Sequence, residues 1–302
     1  MTLLLTRRDV ADLLTIDDCI TAVENAFAML GRGEVARPAI AGVMTDGGGF
    51  HIKAAIAGDR FVTKMNANFF NATPRIKGVA ILCDATAGNV LAVMDSIEIT
   101  ILRTGAATAV AAKYLARKDA KTAMICGCGN QGRIQTRALQ RVRKLDRIFA
   151  FDSNGDTSAN FAEEMGAEAV PAPVFADIVV TCTPSRVPFL AQVRPGTFIA
   201  AVGTDSEEKS EIAPKLMAAS KVVTDVTEQC RAIGDLHHAP EAKVYAELSE
   251  IIAGKKRGRG RDDEVIIFDS TGMALQDVAA ASIVYERAVA AGRGTEIDFA
   301  AF

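Results

Sequence analysis

The chain has no tryptophan, three tyrosines and three histidines in 302 residues, and aromatics make up 6% of it. Base-stacking surfaces need aromatics set among cations, and that pattern does not occur here. Neither sign of charge dominates. Lys and Arg number 34 against 37 Asp and Glu, and the formal charge of −3 gives no general attraction to nucleic acid or anionic lipid. The one charge run, Gly254 to Arg261, holds five cations in eight residues. It lacks an interleaved aromatic and runs straight into Asp262-Asp263-Glu264, so it reads as a solvated loop. No apolar run reaches the ~18 residues of a membrane span. At the N-terminus the charge of Arg7-Arg8 follows an apolar patch, the reverse of a secretory signal. The six cysteines, Cys19, Cys83, Cys126, Cys128, Cys182 and Cys230, are scattered and read as reduced, buried thiols. Cys126 and Cys128 have no second Cys or His pair at ligand spacing, and Cys230, His237 and His238 read as structural, so no metal site is expected. The expectation is a cytoplasmic protein with neither a membrane nor a nucleic-acid partner.

Hydrophobic residues at 49% and charged residues at 24% are those of a soluble globular chain, long enough for roughly two domains. The most informative stretch is Thr122 to Gly132. A short apolar run ends in Gly127-Cys128-Gly129-Asn130-Gln131-Gly132, and a helix-like segment, Arg133 to Val142, follows. Gly-x-Gly-x-x-Gly between a strand and a helix allows a tight turn and lets a pyrophosphate approach the backbone at the helix N-terminus. A second strand, Arg147 to Phe151, ends in Asp152, twenty residues beyond Gly132 in the numbering. An acid there is placed to hold the adenosine ribose hydroxyls. The plain alternative is a tight turn in a nucleotide-free α/β domain.

Before this motif, Thr6 and Thr15 read as caps of two helices, the second running from Ile16 to Leu30 and stopped by Gly31 and Gly33. The segments 50–56, 61–69, 79–83 and 90–94 read as strands, with Gly47 to Gly49 as one of the turns between them. Their close spacing predicts an antiparallel sheet without crossover helices. A helix from Ser96 to Leu115 carries small residues from Thr104 onward, with Arg103 as the cation of its first turns. After the motif, strands and helices alternate as in a parallel sheet. Strands 178–183, 198–202, 221–225 and 265–269 put Thr183-Pro184, Gly203-Thr204-Asp205 and Ser270-Thr271 at carboxyl ends, where open α/β sheets bind ligands. An Ala-rich helix, Asp277 to Ala291, closes the chain.

Four runs in order, 99–107, 127–131, 203–211 and 268–277, resemble the ornithine cyclodeaminase/mu-crystallin family, and the likeness extends over about 78–277. It implies an α/β fold with a Rossmann doubly wound parallel sheet, plus an N-terminal α/β dimerisation and substrate domain completed by the C-terminal helix. The division it implies is 1–117 with 277–302 for substrate and dimerisation, and 118–276 for NAD. A homodimer through the N-terminal domain follows from the same likeness. So does hydride exchange between a nicotinamide and the α-carbon of an amino or imino acid. Carried over residue by residue, the carboxylate-binding cations fall on Arg37, Lys64 and Arg103, and the catalytic aspartate on Asp205, with Lys64 also in the catalytic set. Thr271 would face the substrate. The cofactor set is Arg103, Thr104, Gly127, Gly129, Asn130, Gln131, Asp152, Ser153, Thr183, Pro184, Val202, Lys209 and Ser270.

Physical chemistry agrees with that assignment. A buried carboxylate costs several kcal/mol unless paired, and charge-assisted hydrogen bonds of roughly 1.5–3 kcal/mol each offset this. A nearby carboxylate such as Asp205 can stabilise an iminium and relay its proton. Asp152 argues for NAD rather than NADP, because it repels a 2′-phosphate; Arg133 nearby works against that preference. Cyclodeaminases of the family carry a glutamate near position 51 for the distal amine, whereas this chain has His51-Ile52-Lys53. His51 and Lys53 would meet an acidic or neutral side chain. The expected function is an NAD(H)-dependent imino-acid (ketimine) reductase or L-amino-acid dehydrogenase. The rivals are an ornithine or lysine cyclodeaminase with catalytic NAD, and a non-catalytic mu-crystallin-like protein that binds NAD(P)H and a small ligand.

Overall fold

A computed structural model of the chain describes residues 1–69 and 71–299. Residue 70 lies outside that description, as do residues 300–302, the end of the range expected to complete the N-terminal domain. Contacts divide the chain into two units, Met1–Arg103 with Met273–Phe302, and Thr104–Gly272.

The first unit opens with β1 (Thr2–Leu5), α1 (Arg7–Leu13) and α2 (Ile16–Arg32). Both helices start with a capping box. The Thr6 hydroxyl accepts the Asp9 N–H while the Asp9 carboxylate accepts the Thr6 N–H, and Thr15 and Asp18 repeat the arrangement. α2 buries Cys19, Ile20, Val23, Ala26 and Phe27 on one face. Gly33, at φ +78°, ends it in left-handed geometry. Gly31, expected to help stop the helix, lies inside it because its backbone is still helical.

The strands β2 (Ala39–Thr45), β3 (Gly48–Ala57), β4 (Arg60–Phe69), β5 (Ile76–Asp84) and β6 (Val90–Asp95) follow, each antiparallel to the next. Gly48 and Gly49 belong to β3, not to a turn. A Cβ on Gly48 would lie 2.2 Å from the Asn68 carbonyl oxygen, so glycine permits a close approach of two strands there. α3 (Ile97–Leu115) contains the division between Arg103 and Thr104.

The second unit holds β7 (Thr122–Cys126), α4 (Asn130–Val142), β8 (Arg147–Phe151), α5 (Gly155–Met165), β9 (Glu168–Ala169), β10 (Ile178–Thr181) and β11 (Phe198–Ala201). It continues with α6 (Pro214–Ala219), β12 (Lys221–Thr224), α7 (Thr227–Ile233), β13 (Val244–Glu247), α8 (Leu248–Ile252) and β14 (Ile266–Asp269). Its sheet runs β13-β12-β14-β11-β10-β7-β8-β9, and every neighbouring pair is parallel. Numbered from β7, the order read from β9 is 3-2-1-4-5-8-6-7: the Rossmann order 3-2-1-4-5 holds through β11, β14 takes the next position, and the switch point lies between β7 and β10. The strands are buried on both faces, so they read as continuous apolar runs; Met124, Val179, Ile199, Val222 and Ile267 form their core.

The chain then returns to the first unit with α9 (Ala274–Ala291) and β15 (Thr295–Ile297). β15 pairs antiparallel with β1, and β1 pairs parallel with β6, giving the order β15-β1-β6-β5-β4-β3-β2. The closely spaced strands of residues 50–94 are antiparallel, as expected, and the parallel pairing of β1 with β6 makes the whole sheet mixed. α9 packs on α2, β3 and β4, and Arg287 grips both Asp18 carboxylate oxygens at 2.7 and 2.8 Å. Among the described residues no helix is long and apolar enough to cross a membrane.

Candidate functional site

In the second unit the glycine motif joins β7 to α4. Gly127 has φ +104°, where side chains are strained, and a Cβ on it would stand 2.8 Å from the Cys182 carbonyl oxygen. A Cβ on Gly132 would meet the Gly127 carbonyl oxygen at 2.1 Å. Packing therefore accounts for these two glycines. Gly129 differs: its φ is −82° and a Cβ there would meet nothing within 4 Å. Gly129 is also the N-cap of α4, with no side-chain cap and no acid in the first turn. That leaves a positive helix end facing open space, the environment a phosphate needs.

Asp152 follows β8. One of its oxygens accepts the Cys128 N–H at 2.9 Å and the other the Asn154 N–H at 3.0 Å, which fixes the carboxylate beside the glycine turn. Asp152, Ser153, Gly155, Ser158 and Pro171 line a cavity of about 480 Å³. Arg133, a conceivable partner for a 2′-phosphate, is engaged elsewhere. Its Nε donates to Glu164 at 2.6 Å and its Nη1 to the Cys128 carbonyl at 2.9 Å. The open Gly129, the uncapped helix and the anchored Asp152 together fit a dinucleotide. Asn130 and Gln131 form the first turn of α4, and the Gln131 side chain accepts from Gln135 at 3.3 Å.

At the carboxyl ends of β10 and β11, buried Glu211 ties two loops together. One of its oxygens accepts both the Thr183 N–H at 2.6 Å and the Thr183 hydroxyl at 2.7 Å, and the other accepts the Gly203 N–H at 3.1 Å. Burial, with Asp235 alongside, pushes the Glu211 carboxyl up to about 8. Asp235 accepts the N–H groups of Glu211 and Ile212 and the Thr204 hydroxyl, closing the neck of the loop that carries Asp205 and Lys209. On that loop Asp205 is exposed, and the Lys209 ammonium lies 2.5 Å from its carboxylate. Asp205 caps no helix; it follows β11 in irregular backbone. Pro184 is exposed and Val202 half-buried at the neighbouring strand ends. Ser270 donates to buried Asp225 at 2.8 Å, and the Thr271 hydroxyl accepts from Gln229 at 2.5 Å. The thiols stay protonated: burial pushes Cys128 up to about 12, and Cys126 and Cys182 rise for the same reason. Among the described residues no cluster of His, Cys, Asp and Glu is placed to hold a metal.

In the first unit the structure brings together cations from three elements. Lys64 of β4 is 2% exposed, Arg103 of α3 6% and Lys53 of β3 9%, and Lys53 stands opposite Lys64 in the β3–β4 register. Lys64 Nζ lies 2.7 Å from Asp277 Oδ1 and 3.3 Å from the Thr100 hydroxyl. Arg103 Nε lies 3.4 Å from the same Asp277 oxygen, and Nη1 donates to Gln276 Oε1 at 3.1 Å. Burial drives the Lys64 ammonium down to about 7; Asp277 opposes this, and Arg103 and Lys53 add to it. Thr104, next to Arg103 on α3, is half-buried. His51 is half-buried on β3 opposite Asn66. Arg37 is exposed on the segment before β2 and is not part of the buried cluster.

Sequence reasoning did not pick out Gln276, Asp277, Glu211 or Asp235. One signal was available: Asp277 and Glu211 end two of the runs that carry the family likeness, and each is an acid beside apolar residues.

The family model for the ornithine cyclodeaminase/mu-crystallin family matches residues 1–292. An archaeal alanine dehydrogenase dimer with bound NAD is similar over 99% of both chains, at 35% identity and a TM-score of 0.94. The Δ1-pyrroline-2-carboxylate reductase of Thermococcus litoralis, in complex with NADH and L-proline, is similar over 98% of this chain and 100% of its own, at 32% identity and a TM-score of 0.91. The iminosuccinate reductase of Paracoccus denitrificans, in complex with NAD+, is similar over 98% and 99%, at 31% identity and a TM-score of 0.88. From end to end, this chain belongs to the ornithine cyclodeaminase/mu-crystallin family.

Proposed function

We propose that the protein is an NAD(H)-dependent imino-acid (ketimine) reductase or L-amino-acid dehydrogenase. The observation that carries this reading is the charge of the buried cluster in the first unit. Lys64 and Arg103 face one carboxylate, Asp277, and Lys53 adds a further cation. A ligand carboxylate would balance Lys64 and Arg103, and a buried cation excess without one is costly. Each charge-assisted hydrogen bond to that carboxylate contributes about 1.5–3 kcal/mol and fixes the α-carbon. A diamine side chain is disfavoured, because the cluster is cationic and the segment His51-Ile52-Lys53 offers no acid, and this sets cyclodeamination second. The reductase and dehydrogenase activities named for the similar structures support the reading.

In the second unit Gly129, Asn130 and Gln131 would hold the pyrophosphate, Asp152 and Ser153 the adenosine ribose, and Thr183, Pro184, Val202, Lys209 and Ser270 the nicotinamide half. When bound, the nicotinamide supplies or accepts hydride at the α-carbon. Asp205 exchanges the proton on the substrate nitrogen, with the Lys209 ammonium beside its carboxylate. Arg37 and Thr271 would complete substrate contact, with His51 and Lys53 toward the side chain.

We also propose a homodimer through the sheet of the first unit. β2 is an edge strand, exposed throughout, and carries Ile40, Val43 and Met44 at 43, 60 and 62% exposure. The free, mostly buried cysteines suit a cytoplasmic setting. Consumption of NADH with a panel of 2-oxo acids plus ammonia or methylamine, and with cyclic imines, tests the activity. Tight NADH binding without oxidation of it on any member would replace the enzyme with a binding protein.

A further inference from the structure

Beyond the residues assigned so far, the first turn of α9 carries a fully buried acid in contact with the cation cluster. Asp277 is 0% exposed. Its Oδ1 sits 2.7 Å from Lys64 Nζ and 3.4 Å from Arg103 Nε, so one atom fixes cations from two different elements. Gln276, its neighbour, fixes the other end of the same guanidinium by accepting from Nη1 at 3.1 Å. Three buried polar atoms here have no hydrogen-bond partner: Arg103 Nε, Gln276 Nε2 and Asp277 Oδ2. Two of the three are donors, and an unpaired buried donor is costly unless a ligand acceptor fills it.

We infer that Asp277 is a positioning residue: its carboxylate sets the Lys64 ammonium and the Arg103 guanidinium in place for the substrate carboxylate. The inference rests on the reading that Lys64 and Arg103 bind that carboxylate. Lys64 is faced by Asp277 from α9, by Arg103 from α3 and by Lys53 from β3, and burial and both cations favour the neutral amine. Asp277 is the group that opposes them. Without it Lys64 loses its proton at lower pH, and a neutral amine grips a carboxylate weakly.

The test is the pH profile of kcat/KM for wild type, Asp277→Asn, Asp277→Glu and Lys64→Gln, with NADH affinity read separately by fluorescence. Asp277→Asn is expected to move the alkaline limb at least about one pH unit toward acid, since one pH unit is a tenfold change in protonation. KM for the imino acid rises about tenfold at pH 8 and recovers toward wild type at pH 6, with NADH affinity unchanged. Asp277→Glu keeps the charge, so its limb stays at the wild-type pH while KM rises. An equal rise in KM at both pH values, or a limb that does not move, overturns the inference. Should the Asn variant not fold, a limb displaced in Asp277→Glu overturns it as well. If Lys64→Gln leaves KM unchanged, the carboxylate reading itself fails. If Lys64→Gln raises KM and Asp277→Asn leaves the limb in place, only the role of Asp277 fails.

Discussion

The glycine motif makes a prediction in which two neighbouring substitutions separate. Gly132→Ala drives a methyl to 2.1 Å from the Gly127 carbonyl oxygen, a backbone atom in a turn that already holds φ +104°. Overpacking of this kind costs about 1–3 kcal/mol. For a domain of this size that lowers the melting temperature by roughly 2–4 °C per kcal/mol. Gly129→Ala places the same methyl in open space at an allowed φ of −82°. Alanine is a poorer N-cap than glycine, so the fold loses at most about 1 kcal/mol. The methyl does obstruct a phosphate approaching the N–H groups of α4. Loss of one charge-assisted hydrogen bond, about 1.5–3 kcal/mol, weakens NADH binding by about 10- to 150-fold. The assay is thermal melting with and without NADH. At 100 times its dissociation constant a ligand stabilises by about 2.7 kcal/mol, and most of that shift should vanish in Gly129→Ala. The reasoning is refuted if Gly129→Ala keeps the full NADH shift, or if Gly132→Ala melts with wild type.

Further outcomes follow from the same geometry. Asp152→Ser should weaken NADH about tenfold and narrow the gap between NADH and NADPH, because the acid goes while Arg133 stays tied to Glu164; an unchanged preference in titrations with both cofactors counts against it. Asp205→Asn should cut turnover by about 10²–10⁴-fold with NADH affinity intact, and unchanged turnover removes Asp205 from the mechanism. Glu211 gives a pH signature. Its carboxyl is raised in the fold to about 8, so its stabilising contribution is fully present below the ordinary glutamate value and lost as pH rises through about 8. Glu211→Gln should therefore gain melting temperature relative to wild type as pH increases from 5 to 8.5, and a difference that stays constant over that range contradicts the assignment.

What the sequence revealed was mostly local. Capping by Thr6 and Thr15 uses acids three residues away, and the strand, glycine turn and helix around Gly127 lie within twenty-one residues of chain. β2 escaped notice because an edge strand exposed on both faces has no alternation of buried and exposed residues to betray it. β1 and β15 are short and pair with each other across the two ends of the chain, and β1 meets its second partner, β6, only across the intervening helices and strands. Asp277 was hidden for a different reason. An acid in the first turn of a helix reads as a complement to the dipole, and the cation it serves, Lys64, is 213 residues away. The acids of the second unit behave alike: Asp225 and Asp269 look like strand ends, and only the folded sheet joins them to Ser270 and to the backbone of the Asp235 turn.

The most direct test supplies NADH carrying deuterium at both C4 positions with the imino acid that supports fastest turnover and locates the label by mass spectrometry and NMR. The account predicts one deuterium at the α-carbon of the amino-acid product for each NADH consumed. NADH oxidation that leaves the α-carbon without deuterium would contradict it.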